Sequence, residues 1–380
     1  MSSSGRMRAR QLGVRIGRFE TGPFNAITDV AGVRVGHTTL IDGEGELVVG
    51  SGPVRTGVTV IHPHEGSIAR DPVFAGYNQL NGNGEMTGVA WIEESGLLTS
   101  PIAITNTHSV GIVRDAIIAW EAQADVYDAD VTFGLPVVGE TYDGWLNDIN
   151  GFHVTKDHVF AALDSATLGP VAEGNVGGGT GMICHEFKGG IGTSSRVIPD
   201  GASNWTVGVL VQANYGSRHL LRIDGVAIGE ELPVESIPSG RTNSVKPGGD
   251  AGSIIIIVAT DAPLLPHQCK RVAQRATIGL ARVGGYGSNG SGDLFLAFST
   301  GNRGVDVAGN VHPVEVRNFP NSSISGLFEA TMEATEEAIV NALCMAETMV
   351  GINGRLCPAL PLDKAGSILK CHGRLRNAPA

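Results

Sequence analysis

Residues 253–260 read SIIIIVAT, and the four consecutive isoleucines followed by valine constrain the fold more than any other stretch of the chain. β-Branched side chains favour extended backbone, and successive residues of a strand point to opposite faces, so this strand is apolar on both. Such a strand predicts a sheet that is covered on each side. The segment before it, PGGDAG (247–252), consists of small and turn-forming residues. A single hydroxyl, that of Ser253, therefore stands where a pliant stretch meets a buried strand.

The other elements fit a layered arrangement. The runs NAITDVAGVRVGHTTL (25–40), RTGVTVIHPH, TGVAWIEE and PIAITNTH alternate β-like stretches with Gly, Asn and Asp, and are read as strands. Val110, Val113, Ile117 and Trp120 recur at helical spacing, predicting a helix over 109–123 with Ser109 as its cap. A shorter helix is expected over 155–166 with Thr155 as N-cap. Strands return between 171 and 222, and the Pro-, Gly- and Ser-rich segment 227–252 is read as an exposed loop. Beyond the isoleucine run come a helix over 265–284, a strand over 292–301 and a long helix over 324–351 ending at Gly351 as C-cap. Many strands with covering helices and no regular βαβ alternation give an α/β (α+β layered) class.

Composition narrows the function. A net charge of -11 and no stripe of Lys or Arg disfavour nucleic acid as a partner. No apolar run approaches the roughly 20 residues that span a bilayer, and the N-terminus lacks the apolar stretch of a secretory signal, so no membrane partner and a cytoplasmic location are expected. Five scattered cysteines without a CxxC pair argue against a disulfide framework and against zinc. His185-Glu186 has no second histidine four residues after the first, so no metal is implied. The glycine clusters GNVGGGTG (174–181) and GGYGSNGSG (284–292) lack the P-loop pattern; the first enters a strand-like run, which denies a phosphate its helix N-terminus. Tight turns or close backbone approach account for both, and no cofactor is expected. No serine carries the GxSxG elbow, and Cys184 sits in an apolar run as a small core residue.

Ser253 remains. A serine hydroxyl needs a base, and one is at hand if the chain is cut between Gly252 and Ser253: the new α-amine, with an unperturbed pKa of about 7.7–8.0. On the pattern alone, an ordinary loop-to-strand junction is the simpler account.

Five stretches in order change that balance: NAITDVAGVRVGHTTL, GNVGGGTGMICHEFKGGIGTSSR (174–196), VQANYG (211–216), GDAGSIIIIVATDAPLLPHQ (249–268) and GSGDLFLAFSTGN (290–302). Together they resemble the DmpA-type aminopeptidases, a family of L-aminopeptidase/D-amidase/D-esterases and β-peptidyl aminopeptidases, from about residue 20 to the C-terminal helices. The resemblance implies an α-β-β-α sandwich like that of N-terminal nucleophile hydrolases with different strand connectivity, also shared with ornithine acetyltransferases. It implies self-cleavage of a single αβ domain, 1–380, into an α chain, 1–252, and a β chain, 253–380, that stay together. By match to the family's motifs, Ser253 is the nucleophile, Ser291 and Asp293 lie near it and orient it, and Asn214 supplies an oxyanion-hole amide. Tyr142 in VVGETYDGW (137–145) matches the active-site tyrosine, and Glu140 is the candidate anchor for a substrate ammonium. Where some relatives carry Glu, this chain has the shorter Asp293. The implied reaction is metal-free hydrolysis of the first residue from small peptides, and of amino-acid amides or esters, by a homo-oligomer, a tetramer of αβ units. Three other readings stay open: a β-peptidyl aminopeptidase, an acyltransferase of the ornithine acetyltransferase type, whose members have threonine at the nucleophile position, and an unprocessed homologue acting as a binding or scaffold protein.

Overall fold

The isoleucine run lies within Ala251–Thr260, a strand in the middle of a six-stranded sheet. The computed structural model describes residues 5–123, 134–201, 203–239, 251–307 and 310–376. In chain order the strands are β1 (Arg34–Asp42), β2 (Val54–His62), β3 (Val73–Gly82), β4 (Leu97–Leu98), β5 (Ile102–Asn106), β6 (Val137–Thr141) and β7 (Ile183–Cys184). There follow β8 (Phe187–Lys188), β9 (Gly190–Asp200), β10 (Ser203–Asn214), β11 (Ala251–Thr260), β12 (Gly290–Ser299), β13 (Met349–Val350) and β14 (Leu356–Cys357). The helices are α1 (Val89–Ser95), α2 (Val110–Gln123), α3 (Lys156–Asp164), α4 (Ile228–Glu231), α5 (Pro266–Val283), α6 (Ser325–Met345) and α7 (Leu362–Cys371).

One sheet has the order β1-β2-β5-β6 and the other β4-β3-β12-β11-β10-β9. Alternation along β11 shows how they stack. Ile255, Ile257 and Ala259 join Val35, Ile61, Ile102, Ile104 and Val137 of the first sheet in one buried cluster, while Ile254, Ile256 and Val258 face α5 and α6 in another. On the far side of the first sheet, Val58, Val60 and Ala103 pack against Val113 and Ile117 of α2 and Val159 of α3. The layers therefore run helix, sheet, sheet, helix, as the family resemblance implies. Burying one isoleucine side chain contributes about 1.5–3 kcal/mol, so the two-faced run of β11 ties together three of the four layers.

The glycine-rich stretch serves close packing. Gly177–Gly179 forms a buried 3₁₀ turn, and a Cβ on Gly178 would lie 2.6 Å from the Ile104 carbonyl oxygen and press on Gln212 Oε1. Gly178→Ala is expected to lower stability by about 1–3 kcal/mol through overpacking, measured as a fall in the urea midpoint at unchanged slope.

Several expected elements differ. TGVAWIEE holds a helix, α1, instead of a strand: Gly88 and Gly96 bracket it in left-handed conformation, and Gly96 N–H closes on Ile92 O. Strands β3 and β6 were not anticipated. Asn106, and not Ser109, caps the turn into α2, its side chain accepting from the His108 and Ser109 N–H groups. Helix α6 ends at Met345 and not at Gly351, because Ala346 turns extended and Met349–Val350 pairs with Leu356–Cys357. Of the expected exposed loop 227–252, residues 228–232 form α4 and its cap, with Ile228 and Leu232 buried in the core; residues 240–250 lie outside the described residues.

Candidate active site

Ser253 sits near the start of β11 at 4% exposure, and its Oγ has no hydrogen-bond partner among the described residues. The small residue before it has a local cause. A Cβ on Gly252 would lie 3.0 Å from Tyr215 Cα, so the chain leaving β10 passes too close for anything larger without a shift. A buried hydroxyl with no partner forgoes a bond normally worth about 1 kcal/mol, and such atoms call for an explanation, catalysis among them.

Antiparallel pairing of β10 with β11 sets Asn214 directly opposite Ser253, and paired residues share a face of the sheet. That face looks toward the first sheet. The Asn214 amide is held at both ends: Oδ1 accepts the Ile183 N–H at 2.8 Å and Nδ2 donates to the Tyr142 carbonyl at 2.9 Å. The bond to Ile183 fixes which end of the amide is the donor. Its second Nδ2 hydrogen stays on the donor end, beside the Ser253 strand.

Glu140 enters this same gap from β6 and is 4% exposed. Its carboxylate accepts the Glu85 N–H at 2.9 Å and the Thr107 hydroxyl. Burial raises its pKa above the ordinary glutamate value, and those two hydrogen bonds oppose the rise. Gly84 is the spacer between Glu140 and the sheet of Ser253: a Cβ there would lie 3.1 Å from Glu140 Oε1 and 3.2 Å from the Cα of Gly292. Gly292 is in turn the parallel partner of Ser253.

Ser291 and Asp293 are adjacent but turned away. In the parallel register they stand beside Gly252 and Ile254, so their side chains occupy the helix-covered face, opposite that of Ser253. Ser291 Oγ donates to Asp293 Oδ1 at 2.6 Å, while Asp293 Oδ2 is buried without a partner. Desolvation raises the Asp293 pKa to about 6 against the lowering effect of the Ser291 bond. Tyr142 reaches Asn214 through its backbone. Its carbonyl meets Asn214, while the ring, 51% exposed, lies against Gly144.

Two neighbours carry no signal readable in one sequence. Asp143, buried, accepts from Asn147 Nδ2 at 3.0 Å, and desolvation raises its pKa to about 7. Lys188, fully buried, donates to three backbone carbonyls. Each is a lone charge beside glycine or an aromatic residue, a pattern equally typical of an exposed turn.

The sequence model of peptidase family S58 matches residues 25–357. The chain is 52% identical to a beta-peptidyl aminopeptidase of Sphingosinicella microcystinivorans, covering 98% of this chain and 94% of that one. To its counterpart in Sphingosinicella xenopeptidilytica it is 48% identical, over 96% and 91%. Among solved structures, a Burkholderia sp. beta-aminopeptidase superposes with a TM-score of 0.88 at 53% identity, over 97% of this chain and 99% of that one. The L-aminopeptidase D-Ala-esterase/amidase of Ochrobactrum anthropi, described as a prototype for the serine aminopeptidases and a variant of the Ntn hydrolase fold, gives 0.90 at 44% identity, over 97% and 99%. Both the layered sheets and these likenesses make the chain a hydrolase of the N-terminal nucleophile class, and it belongs to peptidase family S58.

Proposed function

We propose that the chain cuts itself between Gly252 and Ser253, giving fragments 1–252 and 253–380, and that Ser253 is then the nucleophile of an aminopeptidase acting on small peptides and on amino-acid amides and esters. One observation carries the reading: the unpartnered Ser253 hydroxyl shares a face with the fixed Asn214 amide, with Glu140 across Gly84.

In the cut enzyme the α-amine of Ser253 takes the hydroxyl proton as Oγ attacks the carbonyl after the substrate's first residue. The tetrahedral oxyanion receives the second Nδ2–H of Asn214 and, on rotation of its exposed ring, the Tyr142 phenol. The new ammonium returns its proton to the leaving amine, an acyl ester stays on Ser253, and water releases it by the same route in reverse order. Asp293, steadied by Ser291, supplies a negative charge along the strand beside the Ser253 nitrogen and stabilises the transient ammonium.

Glu140 restricts the substrate. A buried carboxylate gains most from a cation that replaces its lost water, so a free amino terminus is required. N-acetylated peptides are expected to be inert, and Glu140→Gln to lower kcat/KM for free-amine peptides about 10- to 100-fold, the equivalent of a hydrogen bond to a charged group. Equal rates on acetylated and free peptides would sink the assignment. The names of the relatives at 52% and 48% identity favour β-amino residues at the first position, so matched α- and β-amino-acid amides belong in the same assay. Assembly into a tetramer of αβ units and a cytoplasmic location complete the proposal. All five cysteines are free, and four of them are buried, which suits a reducing compartment.

A further inference from the structure

Asn214 can serve as a donor only while its amide faces one way, and the group that decides this is the Ile183 N–H on Asn214 Oδ1. Ile183 belongs to the short β7–β8 hairpin, whose two turn residues, His185 and Glu186, both have left-handed backbone at φ +49° and +61°. Non-glycine residues adopt that conformation at a cost, so the hairpin needs outside anchors. At its tip, His185 N–H donates to the Tyr215 carbonyl at 2.7 Å. At its base lies Lys188, 0% exposed, with Nζ 2.7 Å from Met182 O, 2.8 Å from Gly189 O and 3.3 Å from Gly179 O.

Three acceptors converge on a group with three donors. A methionine of similar length would fill the volume with less desolvation, yet would take the second donor from Gly179 O and Met182 O, which keep the Met182 and Gly189 N–H groups, and the ammonium from Gly189 O. Two of those carbonyls, Gly179 and Met182, belong to the residues leading directly into Ile183. We propose that Lys188 is the positioning residue of the oxyanion donor: its ammonium closes the 179–189 turn, the turn presents the Ile183 N–H, and that N–H sets the Asn214 amide. The inference rests on the reading of Asn214 given above. Burial pushes the Lys188 pKa down to about 7 while Cys357, Cys184 and Asp143 pull it upward, a cost that a residue present only to fill space would not incur.

The test is a double-mutant cycle of Lys188→Met and Asn214→Ala in the full chain. Rates are read on peptide hydrolysis, and on the Gly252–Ser253 cut for any variant that stays whole, with thermal unfolding alongside. Lys188→Met is expected to lower kcat about 10- to 100-fold, less than removal of the donor itself, with KM within about 2-fold. In the Asn214→Ala background the same substitution should cost less than about 3-fold, because coupled residues are not additive. Lys188→Gln, which keeps two N–H donors, should recover part of the rate. Equal losses in both backgrounds overturn the positioning role and leave Asn214 intact. An Asn214→Ala enzyme as fast as the parent removes the donor, and the role of Lys188 with it. If neither Met nor Gln at 188 gives folded protein, Lys188 is a folding residue and the proposal fails.

Discussion

Ser253→Ala should leave a single 39.4 kDa chain where the parent protein yields two, one beginning at Ser253, and should abolish hydrolysis by at least about 10⁴-fold. Both effects have one origin. In the proposed mechanism the hydroxyl that attacks the Gly252 carbonyl in the precursor is the one that attacks substrate afterward, and alanine supplies no nucleophile for either. The fold should not suffer, because Ser253 Oγ has no partner to lose and alanine is the smaller residue. Intact mass under denaturing conditions and a thermal melt separate these points from global damage. A parent chain that stays whole over days would remove the α-amine from the mechanism, and a binding or scaffold role for an uncut homologue would lead. Full activity in Ser253→Ala would displace the nucleophile altogether.

Ser253→Ala is also the substitution that sequence alone could nominate, which shows where legibility stops. The isoleucine run fixed its own strand and demanded cover on both faces, because a two-faced apolar strand has few alternatives. Strand β3 escaped notice: its exposed end, QLNG, and its half-buried pattern mix polar and apolar residues, as expected for a strand that emerges from the sheet. Helix α1 buries only Ile92 of its residues, so no stripe betrays its period and its sequence reads as a strand. The glutamates of α6 follow the same logic in reverse. Glu333 and Glu337 look like solvent-facing positions, yet both are buried against Arg196, at 3.0 Å and 2.7 Å, and nothing local to the helix announces an arginine on β9.

The candidate residues could be named from the family resemblance, but their arrangement could not be read from it. Strand β12 starts at Gly290, two residues before the expected 292–301, and so carries Ser291 and Asp293 on one face. That this face is the opposite one from Ser253 follows from the parallel β11–β12 register, which pairs Ser253 with Gly292. Likewise, Asn214 meets Ser253 only through the register of β10, and Glu140 only through the close stacking of the sheets, where a Cβ on Gly139 would lie 3.1 Å from Ile255 Cδ1. These are long-range choices made by packing. Under the proposed mechanism the two sides of β11 do distinct work: oxyanion and substrate ammonium between the sheets, charge balance for the α-amine beneath the helices.

Replacement of Asn214 by alanine tests that division with an effect second only to loss of the nucleophile. Removing one oxyanion donor typically lowers kcat by about 10²–10³-fold, or about 2.7–4 kcal/mol of transition-state stabilisation; KM should change little, because the donor acts on charge that develops after binding. Asn214→Asp makes the test specific. A carboxylate keeps an oxygen for the Ile183 N–H, so the hairpin contact at 3% exposure survives, but it offers no N–H to the Tyr142 carbonyl or to substrate and places negative charge beside the developing oxyanion. If Asn214 serves by donation, the aspartate enzyme should be no faster than the alanine enzyme although it keeps the Ile183 contact. An aspartate enzyme near the parental rate would mean that Asn214 merely spaces β10 from the 142–143 turn, and the oxyanion would then have to be held from elsewhere, with the Tyr142 phenol the next group to remove.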